Sequence, residues 1–282
     1  MLVSRVAPRA LTPARVGRPW GGGRFGTVGD EPVGEIWVSG DDATLPDGRT
    51  LAEAGVANSV PLVKVLDVAA QLSVQVHPDD PLARDLHGPG AVGKHEAWVV
   101  LEAEPNASVG LGLADPTWVE DLFSGDRTLV AAALALSPVT AGAVIDVAPG
   151  TVHAPAAGVL LYEIQQRSDL TYRVFDWGRS RPLHLAEARR AIRADAPVAV
   201  GRLPEGFGCA DLIDLPAPFR LELCRPGDGG LDLHLDRRAV LSVIHGQLDV
   251  DGSPHGSGDH LLLEPGETSL TGSGEALLAH WR

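Results

Sequence analysis

Apolar and polar residues alternate with a period of two through much of this chain. The cleanest case is Leu72-Ser-Val-Gln-Val-His77. On a strand, Ser73, Gln75 and His77 there share one face, and Val74 and Val76 face the opposite side, toward a core. Gly34-Glu-Ile-Trp-Val-Ser39 and Pro61-Leu-Val-Lys-Val-Leu-Asp-Val68 predict further strands between turns. Glu96-Ala-Trp-Val-Val-Leu101 predicts another, with Glu96, Trp98 and Val100 on one face. Helical patterns are short and central. Pro81–Leu86 is one, and Leu183–Ile192 another. Asp115–Phe123 is a third, with Asp115 at the N-cap and Pro116 at the first helical position. Ala194–Pro204 reads as a linker, and from about Phe207 the chain is again strand and turn.

Two segments echo each other. Gly142-Ala-Val-Ile-Asp-Val-Ala-Pro-Gly150 and Gly258-Asp-His-Leu-Leu-Leu-Glu-Pro-Gly266 both open a strand with Gly and close it with Pro-Gly. A degenerate repeat of this kind predicts two related β-barrel modules. The first, residues 1–195, carries the candidate chemistry together with the short helices. The second, residues 205–282, has Glu267-Thr-Ser269 where the first has a histidine, and is expected to hold no metal.

Composition narrows the function classes. The 282 residues leave room for a sizeable core, and 33 Gly and 22 Pro suit many short strands better than long helices. A formal net charge of −14 argues against a nucleic-acid surface or a basic membrane face. No apolar run is long enough to span a bilayer, and Pro8 and Pro13 interrupt the basic opening segment, which is expected to be a strand and turn rather than a leader. Cys209 and Cys224 are the only cysteines; two reduced thiols in a cytoplasmic protein are expected.

The chemistry concentrates in three phrases: Gln75-Val-His77-Pro-Asp-Asp80, Gly93-Lys-His-Glu96, and Pro149-Gly-Thr-Val-His153. A Pro-Gly turn before His153 can return its imidazole to the sheet that carries Gln75 and His77. Together they offer two imidazoles, a carboxylate and an amide oxygen, which suit zinc in an open, catalytic site; iron, manganese and cobalt accept similar ligands. Singly, each residue has a plainer reading as a satisfied strand residue. His234, His245, His255, His260 and His280 lack a carboxylate in any clear register and are expected to be core or surface residues. The only two lysines, Lys64 and Lys94, flank these phrases. In a chain that otherwise uses arginine, a retained lysine suggests a need for a compact, tunable ammonium, against which stands chance placement.

The chain resembles the type I mannose-6-phosphate isomerases, particularly the short bacterial form. The likeness is carried by Arg18-Pro-Trp-Gly-Gly22, Gly34-Glu-Ile-Trp37, Leu72–Asp80, Gly93–Trp98, Pro149–Ala154 and Glu163–Arg173. It implies a mainly β, cupin-type fold of two jelly-roll modules. It also implies metal-dependent interconversion of mannose 6-phosphate and fructose 6-phosphate, usually with Zn2+. By motif match the metal ligands are Gln75, His77, Glu96 and His153, and Arg173 falls on the active-site arginine. Lys64, Lys94 and Asp169 fall near the substrate, and Ser73 lies beside Gln75. Beside a bound metal and another cation, Lys94 is expected to have a lowered pKa and act as acid or base, and Asp169 to pair with Arg173 or with a ligand histidine. Some long-form relatives carry His where this chain has Gly93, so a mechanism relying on it does not transfer. Two other readings stand beside this one: a cupin metalloenzyme for a different sugar phosphate or for oxidative chemistry, and a sugar-binding cupin without turnover. Oligomeric state stays open.

Overall fold

The computed structural model describes residues 6–213 and 216–282, so the opening segment ahead of Val6 lies outside the described residues. The chain is mainly β, with antiparallel sheets and short helices. It divides into two units. One holds the chain through Arg15, Ile36–Lys64 and Leu203–Arg282; the other holds Val16–Glu35 and Val65–Arg202. The C-terminal module thus groups with two earlier stretches of chain, where the sequence suggested a break only near residues 195–205.

The Val16–Glu35 and Val65–Arg202 unit is built on two sheets. The first includes, in order, Ala199–Arg202, Ala143–Val147, Glu96–Ala103 and Val159–Gln165. The second runs Tyr172–Phe175, Val74–Val76, His153–Pro155, Ser108–Leu113, Leu134–Pro138. Period-two patterning sends Trp98, Val100, Ile145, Val147 and Leu161 of the first sheet into one buried cluster with Val109 and Leu111 of the second. The other face of the second sheet buries Val74 and Val76, as the alternation predicted. There they join a cluster with Leu122, Val130, Ala188 and Ala191 from the helical segments.

Three of these segments begin at a capping aspartate. Asp79 Oδ1 accepts from Leu82 N at 2.9 Å ahead of α1, Asp80–His87. Asp126 accepts from the amides of Thr128 and Leu129 ahead of α2, Arg127–Ala133, a helix the sequence reading did not foresee. Asp115 caps Pro116–Phe123 as expected, but that turn is a 3-10 helix with Trp118 off helical dihedrals. The expected linker contains the strand Ala199–Arg202, which pairs antiparallel with Ala143–Asp146. Among the described residues no helix is long and apolar enough to cross a membrane.

In the other unit, Leu233, Leu241, Val243, Leu248, Leu261, Leu263, Leu270 and Leu278 fill the core. The strands Ala239–His245 and Gln247–Val250 meet at Gly246, whose φ is 70°. Cys209 and Cys224 oppose each other on Gly208–Asp211 and Phe219–Arg225 and form a disulfide. The expectation of two free thiols is therefore corrected: cross-strand register brings the pair together with Cα atoms 4.3 Å apart.

Candidate metal centre

Three of the four anticipated ligands converge. His77, Glu96 and His153 are buried, and their ligand atoms all lie within 4.8 Å of one another. His77 Nε2 is 3.3 Å from Glu96 Oε2, and His153 Nε2 is 3.3 Å from Glu96 Oε1. The sheets bring them together by register: His153 sits opposite Gln75 on Val74–Val76, while Glu96 opens its strand on the face of Trp98. Trp98 then meets the His153 ring edge-on, with centroids 5.4 Å apart, and the two imidazoles are 4.8 Å apart.

Backbone carbonyls fix both tautomers. His77 Nδ1–H donates to Leu170 O at 2.9 Å, and His153 Nδ1–H donates to Thr151 O at 2.9 Å. Each Nε2 is thereby left as a lone pair directed at the Glu96 carboxylate. Acceptors facing acceptors in a buried space repel unless a cation or proton lies among them. Glu96 Oε1 is buried with no hydrogen-bond donor among the described residues.

Titration points the same way. Burial, helped by the Lys94 charge, pushes His77 down to about 4, and burial pushes His153 down as well. Burial alone would raise Glu96, but the Lys94 ammonium and the imidazoles hold it well below the usual carboxylate range. At neutral pH the set is two neutral imidazoles and one carboxylate, the deprotonated state a divalent metal requires. These residues fit such an ion. Gln75 fits less directly. Its Oε1 accepts from Ser73 Oγ at 3.1 Å and its Nε2 is 3.2 Å from His153 Nε2, so the amide must turn over to offer oxygen.

The Lys94 ammonium is the cation these groups hold in the structure. It contacts Glu96 Oε2 and lies 3.2 Å from His77 Nε2. With no metal present, the Lys94 pKa is raised. Burial pulls it down, but the carboxylates of Glu96, Glu163 and Glu35 together pull it further up. Gly93, just before it, packs on the backbone of residues 78–80. A Cβ there would lie 2.6 Å from Asp79 C, so a histidine has no room.

The remaining expected residues scatter. Ser73 is buried beside Gln75. Arg173 sits opposite Gln75 on Tyr172–Phe175, half-buried, with Nη1 donating to Pro182 O at 2.8 Å and Nε meeting no acceptor among the described residues. Asp169 is exposed. The acceptor beside His77 is instead the carbonyl of its neighbour Leu170. Lys64 belongs to the other unit, buried with its ammonium 5.0 Å from the Trp37 ring centroid.

The sequence reading missed two residues of Val159–Gln165. Glu163 is buried and accepts from Trp98 Nε1 at 3.1 Å. Gln165 is buried and donates to Gln166 O at 2.9 Å and Ser168 O at 2.7 Å, pinning the loop that carries Leu170. The signal was present: polar residues at period two in an otherwise apolar strand, in register with Trp98 and Glu96.

No family model matches the chain. Three curated relatives carry mannose-6-phosphate isomerase in their names. GmuF of Bacillus subtilis is 34% identical over 177 residues, 59% of this chain and 52% of GmuF. The Streptococcus mutans protein is 34% identical over 216 residues, 63% of this chain and 65% of that protein. YvyI of Bacillus subtilis is 33% identical over 232 residues, 71% of this chain and 72% of YvyI. The chain thus spans about half the length of the first. Among solved structures, the mannose 6-phosphate isomerase from Bacillus subtilis superposes with a TM-score of 0.79 at 25% identity, covering 98% of this chain and 100% of that one.

Proposed function

The chain belongs to the mannose-6-phosphate isomerase family, and from that premise we propose that it interconverts mannose 6-phosphate and fructose 6-phosphate at the centre formed by His77, Glu96 and His153. The observation that carries the reading is the buried meeting of two Nε2 lone pairs with a carboxylate.

His77, Glu96 and His153, joined by Gln75 once its amide is turned, would hold one divalent ion, for which zinc is the first choice by ligand type. When bound, the ion supplies Lewis-acid polarisation of the sugar oxygens. In the open-chain aldose, the C2–H bond breaks, a C1–H bond forms, and the hydroxyl proton on O2 is released as O1 takes one up. Negative charge develops on the two oxygens in between. Lys94, whose ammonium contacts Glu96, is assigned the donation of hydrogen bonds to that charge. Arg173, on the sheet position opposite Gln75 and with an unmatched Nε–H, is placed to orient an anionic oxygen of the substrate. Gln165 and the Leu170 and Thr151 carbonyls keep both imidazoles in the ligating tautomer. Ser73 and Asp169 remain candidate substrate contacts.

The test is turnover on a panel of sugar phosphates. Mannose 6-phosphate is expected to yield fructose 6-phosphate, with glucose 6-phosphate at least tenfold slower. Equal rates on both aldoses, or no ketose from either, would refute the assignment.

A further inference from the structure

Among the described residues Tyr172–Phe175 is the edge strand of its sheet, paired on one side only, with Val74–Val76. The N–H and C=O of one strand residue point to the same side of the strand. At Arg173 both point off the sheet edge, where an edge strand ordinarily has no partner. One residue meets both. Arg173 N–H donates to His184 Nδ1 at 3.2 Å, and His184 N–H donates to Arg173 O at 2.8 Å. Arg173 Nη1 donates to Pro182 O, two residues earlier on the same loop. Immediately after Arg173 the register with Val74–Val76 shifts, so the sheet's own hold ends there. His184 is fixed in turn: its carbonyl accepts from Ala188 N at 2.9 Å in α3, Leu185–Ala191, and Ala188 is packed in the buried helical cluster.

We propose that His184 is a positioning residue for Arg173, standing in for a missing neighbouring strand and setting where the guanidinium is presented. Two consequences follow from the hydrogen-bond pattern. Since the outward edge of Arg173 is taken by His184, Arg173 and Gln75 form the non-hydrogen-bonded kind of cross-strand pair, whose side chains approach closer. And since Nδ1 accepts from the Arg173 amide, the ring carries its proton on Nε2. The inference rests on the reading that Arg173 meets the substrate.

The test contrasts His184→Asn with His184→Phe. Asn keeps an acceptor near the place of Nδ1 but loses the ring, whose centroid lies 6.5 Å from that of Tyr172; Phe keeps a ring and loses the acceptor. Positioning predicts that Asn stays within threefold of wild-type kcat, while Phe falls about ten- to hundredfold, with rates normalised to folded, metal-loaded protein. It also predicts that Arg173 amide exchange with solvent stays protected in the Asn variant and accelerates in the Phe variant. A role in packing alone predicts the reverse order of activity. Wild-type turnover in His184→Phe, or equal losses in both variants, overturns the proposal. Should the wild-type protein fail to isomerise, the assigned function falls; the exchange contrast then still decides, since equal exchange in both variants refutes the positioning of Arg173 by His184.

Discussion

Replacing Lys94 by Met removes the ammonium and keeps much of the side-chain volume. In the metal-free protein Glu96 then loses its donor: Oε1 already has none, and Oε2 otherwise faces the lone pair of His77. At an effective dielectric of about 20, a unit charge pair about 4 Å apart is worth about 4 kcal/mol, and breaking a buried pair from one side costs about 3–5 kcal/mol. Glu163 and Glu35, which also act on the Lys94 charge, are left with less compensation. The metal-free variant is therefore expected to lose about 3–5 kcal/mol of stability. Saturating zinc supplies a replacement charge among the same donors, so the loaded variant is expected to lose no more than about 1 kcal/mol relative to the loaded wild type. Urea unfolding with chelator and with zinc measures both differences, provided the slope of the transition is unchanged. Equal losses with and without metal, or less than about 1 kcal/mol in the stripped form, would refute the reasoning that Lys94 and a metal serve the same carboxylate.

Gly93→Ala places a Cβ 2.6 Å from the Asp79 carbonyl carbon, against backbone that cannot rotate away; it is expected to cost about 1–3 kcal/mol of overpacking and to lower turnover through the adjacent Lys94, read by thermal midpoint and kcat. The disulfide Cys209–Cys224 closes a separation of 15 residues; dithiothreitol is expected to remove about 3 kcal/mol of stability, and non-reducing mass analysis to show no free thiol in the untreated protein. His260, with Nδ1 on Ser242 Oγ at 2.9 Å, is pushed down to about 4 by burial, which Asp259 opposes. The folded state thus takes up this proton later than the unfolded state does. Stability is lost as pH falls from about 6.5 toward 4; with the ring half-buried, about 1–2 kcal/mol is expected, visible as a falling urea midpoint that His260→Asn flattens.

Strand positions were legible in the sequence because alternation is a short-range rule, while the candidate trio His77, Glu96 and His153 stood out through the motif resemblance. Alternation placed Val74 and Val76 on the core side and His77 on the other, and Glu96 with Trp98. What it could not supply was contact across register. The partners of His77 and His153 are carbonyls of Leu170 and Thr151, and a carbonyl carries no sequence signature. Asp169 had a carboxylate to recommend it, but the neighbouring backbone faces His77. In the metal-free site the Lys94 charge depends on Glu163 and Glu35 as well as on Glu96, and those two lie 69 and 59 residues away by number. The Cys209–Cys224 pairing likewise follows from strand register. The strand Ala199–Arg202 hid in a segment whose Pro and Ala content resembles a linker, because edge pairing with Ala143–Asp146 overrides weak local propensity.

One divalent ion held by His77, Glu96 and His153 is expected to be required for turnover. Stripping the protein of metal and restoring zinc in measured steps while following mannose 6-phosphate conversion tests this directly. Activity is expected to be absent at the start, to rise linearly and to break at one equivalent, with His153→Ala flat throughout. Full activity in the stripped protein, or an unchanged titration in His153→Ala, would contradict it.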